Sequence, residues 1–92
     1  WLATKVVFFN ELYNLHAQSK TKVPWGDFID VLTRDPRIGD THMQVPGPDG
    51  EFGFGGHCFP KDTAALIYYA NKLGVDLSVL EHAVNKNKKF RS

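Results

Sequence analysis

A second cysteine is missing from this sequence, so no disulfide can form within it, which fits a reducing compartment such as the cytoplasm. No apolar run approaches the roughly 18 residues that a membrane-crossing helix needs. An excess of one charge sign is lacking too. Eleven basic residues against ten acidic ones leave a formal charge of +1, which makes no electrostatic case for nucleic acid or an anionic membrane as partner. The one basic cluster, Lys86, Lys88, Lys89 and Arg91, reads as a solvated helix end, where cations suit the macrodipole. No charged leader with an apolar stretch and a small-residue cleavage site is visible, nothing repeats, and no segment reads as a strand. The chain begins at Trp1 without an initiator methionine, and the expectation is a cut end.

What is present is the composition of a small globular domain: 42% apolar and 13% aromatic over 92 residues. A chain of this length buries only about 60–70% of the surface that its unfolded form exposes, so its core is limited. Residues 2–19 read as a helix. Leu2, Val6, Phe9 and Tyr13 keep helical spacing, and Val7, Phe8, Leu12 and Leu15 widen the stripe until little of the helix is polar. Such a helix is expected to be buried on several sides, against another copy or a further domain. Asn10 and Glu11, which interrupt the stripe, are candidates for pairing across a subunit interface.

A connector over residues 19–24 follows, and Pro24 opens a second helix that runs to about Thr33. Asp35-Pro36 stops it, because the residue before a proline is pushed out of helical geometry. A third helix is expected over about 61–73, closed by Gly74 as a left-handed cap. A fourth begins at Ser78-Val79-Leu80-Glu81, the pattern of a capping box, and runs to about Lys89. The fold class is therefore all-α: about four helices with a long Gly/Pro-rich loop. That loop, residues 35–57, holds three of the five prolines and six of the eight glycines, and irregular segments so long are usually functional or disordered. Trp1, Trp25 and Tyr68 read as packing residues, and His16 and His82 as ordinary helix histidines.

The chemistry sits in Gly53-Phe54-Gly55-Gly56-His57-Cys58-Phe59-Pro60-Lys61-Asp62. Three glycines give the backbone torsions that other residues resist and let it approach a ligand closely. Cys58 follows at the mouth of a helix whose early turn holds Lys61, a setting that favours the attacking thiolate. Asp62, four residues on, falls near the same helix face and can orient water. The same residues also fit a buried structural cysteine beside a glycine cluster. A metal role for His42, His57 and Cys58 is disfavoured, because adjacent residues rarely reach one ion and structural zinc wants four ligands at recurring spacings.

This ordered pattern closely resembles the catalytic-cysteine signature of the UDP-glucose and GDP-mannose dehydrogenase family. The likeness covers essentially the whole chain. Leu2-Ala3-Thr4-Lys5-Val6-Val7-Phe8-Phe9-Asn10-Glu11 is similar to that family's long central helix, Asp35-Pro36-Arg37-Ile38-Gly39 to its arginine turn, and Val45-Pro46-Gly47-Pro48 to the approach to its substrate loop.

The resemblance implies a fragment of an NAD-dependent enzyme that oxidises a sugar C6 alcohol to a carboxylate. By position, Cys58 would attack the intermediate aldehyde, giving a thiohemiacetal and then a thioester, and would also lie at the cofactor. Asp62 would help activate the hydrolytic water. Asp49, Gly50, Glu51, Phe52, Gly53, Phe54 and Gly55 would line the nucleotide-sugar pocket, and Arg37 would contact the substrate, that of a neighbouring subunit. A homodimer is implied, with this segment as the subunit-bridging middle. The family's two nucleotide-binding domains, and the oxyanion-stabilising lysine and asparagine, would precede or follow these residues, so NAD is expected to be bound mainly elsewhere and the isolated segment to be inactive. Lys5 matches a different position of that helix.

Phe59 and Lys61-Asp62 favour UDP-glucose as the substrate. GDP-mannose remains an alternative, and Gly56-His57-Cys58 is reminiscent of the acetamido-sugar branch. A stand-alone dimerisation module with an idle Cys58 is a rival from another class. A thiol-dependent hydrolase lacks any nucleophile–base pairing beyond His57 or His42.

Overall fold

The structure, a computed structural model, describes residues 1–91. Helices α1 (Leu2–Gln18), α2 (Trp25–Leu32), α3 (Cys58–Lys72) and α4 (Ser78–Phe90) are joined by irregular segments, and the described residues contain no strand. No helix is long and apolar enough to cross a membrane among the described residues.

The broad apolar stripe of α1 makes it the spine. A helix advances about 100° per residue, so Val7 and Phe9 lie on different faces. Ala3 and Val7 pack with Phe54 and Ala83, flanked by Val6, Phe59, Val84 and Phe90. Phe9 packs instead with Met43 and Val45, flanked by Leu12, Tyr13, Trp25, Ile29, Leu32 and Ile38. One face of α1 thus carries α4 and the cysteine loop, and another carries α2 and the segment that follows it. Two clusters around one helix do not close into a ball. The radius of gyration is 14.5 Å, against about 12 Å for a compact chain of this length. Phe8 and Leu15 of α1 stay exposed, as do Leu66 and Tyr69 of α3 and Leu73 just after it.

Local signals explain the ends. Pro24 stands just before α2 in an extended conformation, φ −61° and ψ 148°, so its fixed φ and missing N–H cost nothing there. Trp25 then packs edge-on against Tyr13 at 5.3 Å, and His16 lies parallel to Phe28 at 6.0 Å while its Nε2–H donates to the Val23 carbonyl at 2.7 Å. The helix ends at Leu32, before the proline can act. Gly74 takes φ +73°, and Val75 N–H bonds the Ala70 carbonyl at 2.9 Å while Gly74 N–H bonds that of Asn71 at 3.1 Å. That bond pair is the Schellman closure anticipated for the third helix.

Four expectations are corrected. Helix α3 starts at Cys58 rather than near Lys61, because Pro60 falls in the first turn, where helical N–H groups have no partner within the helix to lose. The capping box at α4 does not form. Leu77 is the residue before the helix, Ser78 lies one position inside it, and no side chain caps the turn. Trp1 is 81% exposed and Tyr68 66% exposed, with Lys72 Nζ 5.2 Å from the Tyr68 ring centre, so neither is a packing residue. Arg91 does not belong to a solvated helix end. It folds back onto the loop.

Candidate active site

The loop ahead of Cys58 is built from a turn, a strap and two buried asparagines. In the turn, the Gly47 carbonyl accepts Gly50 N–H at 2.9 Å and Gly47 N–H donates to the Glu51 carbonyl at 2.9 Å. Pro48 and Asp49 occupy the corner, as turn chemistry favours, and Gly50 supplies the φ of +79° that follows. Both carboxylate oxygens of Asp49 are engaged. Oδ1 accepts Glu51 N–H at 3.0 Å and Oδ2 accepts Arg91 Nη2 at 2.8 Å. The Glu51 amide first, and the Arg91 guanidinium second, hold the Asp49 carboxyl below the usual carboxylate range.

Beyond the turn, Gly53 N–H donates to Asn10 Oδ1 at 2.9 Å. Asn10 is 2% exposed, and its own amide donates to the Val6 carbonyl at 2.8 Å. The side-chain amide of Asn87 then grips Phe54 twice, accepting its N–H at 2.7 Å and donating to its carbonyl at 2.9 Å. Arg91 adds a bond to the Gly53 carbonyl at 3.3 Å. These contacts occupy space that side chains would need. A Cβ on Gly53 would run into Asn87 Oδ1, and one on Gly55 into the Arg91 guanidinium. The glycines that read as room for a ligand therefore make room, at those two positions, for the end of α4. Gly56, with φ +80° and nothing near a would-be Cβ, is needed for its torsion alone.

The buried ring of Phe54, edge-on to Phe59 at 5.9 Å, anchors the loop beside α3. Cys58 is exposed in the first turn of that helix, not buried as a structural thiol would be. His57, just before it, makes no capping bond. Asp62 lies one turn on and pairs with Lys61 at 3.4 Å, both side chains being more than half exposed. A cleft of about 520 Å³ opens nearby, lined by Val6, His42, Gln44, Asp49, Phe54 and Arg91 and reaching α3 at Phe59; Cys58 and Asp62 do not line it.

Of the residues singled out from sequence, Asp49, Gly53, Phe54 and Gly55 meet on this cleft. Gly50, Glu51 and Phe52 lie on the turn without lining it, and Phe52 leans on Tyr13 at 6.0 Å. Arg37 is apart from it. Asp35 holds its guanidinium through Nε at 3.0 Å and Nη2 at 2.8 Å, with the arginine side chain 88% exposed. That bond keeps the Asp35 carboxyl below its ordinary range and raises the Arg37 guanidinium above its own.

Sequence reading missed Lys5, Gln44, Asn87 and Arg91 as site residues, and weighed His42 only as a metal ligand or base. Lys5 is 4% exposed and ties α1 to the arginine turn, Nζ donating to the Ile38 carbonyl at 2.6 Å. The sequence places Asn10 at a subunit interface. Its side chain is consumed inside the chain, and Glu11 pairs with Lys86 at 3.7 Å. Among the described residues no group of three or more His, Cys, Asp or Glu is placed to hold a metal ion.

A glycine loop folded onto a helix that opens with an exposed cysteine invites comparison with known proteins. Residues 1–89 match the central domain of the UDP-glucose/GDP-mannose dehydrogenase family. This chain belongs to that family. The family domain is 34% identical over 91 residues to UDP-glucose 6-dehydrogenase TuaD of Bacillus subtilis, which covers 99% of this chain and 18% of the relative. It is 36% identical over 88 residues to GDP-mannose 6-dehydrogenase of Pseudomonas syringae pv. tomato, covering 95% of this chain and 19% of that protein. It is 40% identical over 87 residues to UDP-glucose 6-dehydrogenase of Pseudomonas aeruginosa, covering 95% and 18%. The dehydrogenase-family domain thus spans about a fifth of the length of the curated relatives it matches. No solved structure matches the chain significantly.

Proposed function

We propose that this segment is the central, cysteine-bearing domain of a nucleotide-sugar 6-dehydrogenase that oxidises the C6 alcohol of UDP-glucose to a carboxylate. The observation that carries the reading is the placement of Cys58: exposed, in the first turn of α3, next in sequence to Phe59, which lines a cleft walled by the preceding loop.

The chemistry follows from that placement. The Cys58 thiolate adds to the carbonyl carbon of the aldehyde formed at C6, and the oxygen takes up a proton, giving a thiohemiacetal. Covalent capture retains a reactive aldehyde and presents a carbon ready for the second oxidation. Water then attacks the resulting thioester, releasing the carboxylate and returning the thiol. Asp62, one turn along the same helix, serves to orient that water. A helix N-terminus favours negative charge on the developing oxyanion. The loop 49–55 contributes the sugar side of the pocket, and Arg37 reaches the substrate of a neighbouring subunit.

NAD would supply the oxidising power by taking up the hydrides. The described residues offer it no cradle of their own, since a dinucleotide fold needs a glycine-rich turn between a strand and a helix and they include no strand. The parent protein would bind it in domains outside this segment, and would act in the cytoplasm. GDP-mannose is the second candidate substrate, supported by the relatives that bear its name.

Pairing with a second copy belongs to the same reading. Phe8 and Leu15, two turns apart on α1, stay exposed while other faces of the helix build both apolar clusters, which supports a dimer across α1.

The test uses the full-length protein that contains these residues, with NAD and either UDP-glucose or GDP-mannose. Turnover with UDP-glucose, lost in Cys58→Ala while both ligands still bind, is the expected result. Turnover of UDP-glucose that survives Cys58→Ala would remove the cysteine from the mechanism. Turnover with GDP-mannose alone would change the substrate and leave the rest standing.

A further inference from the structure

The last residues of α4 have no place in the cysteine motif, yet they determine the shape of the loop before it. Three observations meet at Arg91. Its Nη2 spans the Asp49 carboxylate at 2.8 Å and the Gly53 carbonyl at 3.3 Å, two points on either side of the Glu51-Phe52 bend. Its guanidinium fills the space beside Gly55 that any larger residue would need. Its side chain is three-quarters buried and lines the same cleft as Asp49, Gly53 and Gly56. Both bonds leave from one nitrogen, as a lysine ammonium's could; what a lysine lacks is the planar group that lies flat against Gly55.

We propose that Arg91 is a positioning residue for substrate binding: through Asp49 and the Gly53 carbonyl it sets the width of the cleft that reaches α3 at Phe59, so that the end of α4 governs how tightly the loop holds the nucleotide sugar. The inference rests on the reading of that cleft as the substrate site. Arg91 acts through the loop and not on the reacting carbon. Its loss therefore weakens substrate binding far more than it slows the bound complex, and leaves the affinity for NAD as it was. Asp49 reaches the loop's far side through Arg91, so Asp49→Asn adds nothing further once Arg91 is gone, while Arg91→Ala costs more than Asp49→Asn because it also frees the Gly53 carbonyl.

The test is steady-state kinetics of the full-length protein and its Arg91→Ala, Arg91→Lys, Asp49→Asn and doubly substituted Arg91→Ala/Asp49→Asn variants, with hydrogen exchange at the Gly53 and Phe54 amides. A rise of about tenfold in KM for the nucleotide sugar is expected for Arg91→Ala and a smaller rise for Asp49→Asn, kcat staying within about threefold and the double variant matching Arg91→Ala. Arg91→Lys should not rescue. Exchange at Gly53 and Phe54 should quicken in the Arg91 variants while the α1 amides keep their protection. An unchanged KM in folded variants, full rescue by lysine, or additive effects of Arg91→Ala and Asp49→Asn would each overturn the proposal. Should Arg91→Ala fail to fold, Arg91→Lys and Asp49→Asn decide it by the same criteria. If the parent turns over no nucleotide sugar, the functional reading fails by itself, and the exchange experiment still judges whether Arg91 sets the loop.

Discussion

Asn87 holds Phe54 by both of its main-chain polar groups, accepting the N–H at 2.7 Å and donating to the carbonyl at 2.9 Å, across 33 positions of sequence. One side-chain amide thus does for an isolated loop residue what a neighbouring strand does in a sheet. Both atoms of the pair are buried, so neither Phe54 group can turn to water once the amide is gone.

Asn87→Ala is therefore expected to destabilise the chain by about 2–4 kcal/mol, the cost of leaving a buried donor and acceptor unpaired. Chemical denaturation read by far-ultraviolet circular dichroism measures it. A loss under about 0.5 kcal/mol, the size of an ordinary surface change, would mean that the loop does not depend on this amide.

Two glycines of the same loop separate torsion from space. Gly50 and Gly53 both have positive φ, +79° and +73°, but only at Gly53 would a Cβ strike another group, Asn87 Oδ1. Gly50→Ala should cost about 1–2 kcal/mol, the penalty for a left-handed torsion. Gly53→Ala should cost at least about 1 kcal/mol more, because Asn87 must also move. Equal losses in parallel melts would show that the close approach carries no energy.

Ser78→Ala tests the cap that does not form. A working capping serine is worth about 1 kcal/mol. With Leu77 at the cap position and no side chain bonding the first turn of α4, the change should cost less than about 0.5 kcal/mol. A full-sized loss would restore the capping box.

Acid should loosen the loop through Asp49. Its carboxyl titrates below the ordinary value of 3.8 when folded, because the Glu51 amide and Arg91 both favour its charged form. The stabilisation is complete above that ordinary value and fades as pH falls through the lower, folded value. Asp35, depressed by Arg37, behaves alike. Asp49→Asn should thus give a shallower loss of stability below about pH 4 than the unaltered chain. Identical acid profiles would detach this carboxylate from the fold.

Much of the architecture was legible because it depends on local periodicity. The stripe of α1, the proline at the start of α2 and Gly74 after α3 each act within a turn or two, so the four helices and the all-α class could be read directly. The position of Cys58 and Asp62 at a helix start was legible for the same reason, since the motif and the helix start coincide. Asn87 and Arg91 were not, since nothing in Asn85-Lys86-Asn87-Lys88-Lys89-Phe90-Arg91 distinguishes residues bound for a loop over 30 positions away from residues bound for water. Asn10 left a faint mark, a polar residue in an apolar stripe, which signals burial without naming the partner. Lys5 left none, because a lysine among apolar neighbours reads as one that reaches solvent.

Because the last turn of α4 moulds the loop, the cysteine motif is not portable. A peptide of residues 53–62 grafted onto another helix would bring the cysteine and its glycines but not the amide and guanidinium that give them shape. Cutting the chain after Lys86 would do the same from the other side. The smallest piece that could carry the site into a new protein therefore runs from α1, which supplies Asn10, through Arg91.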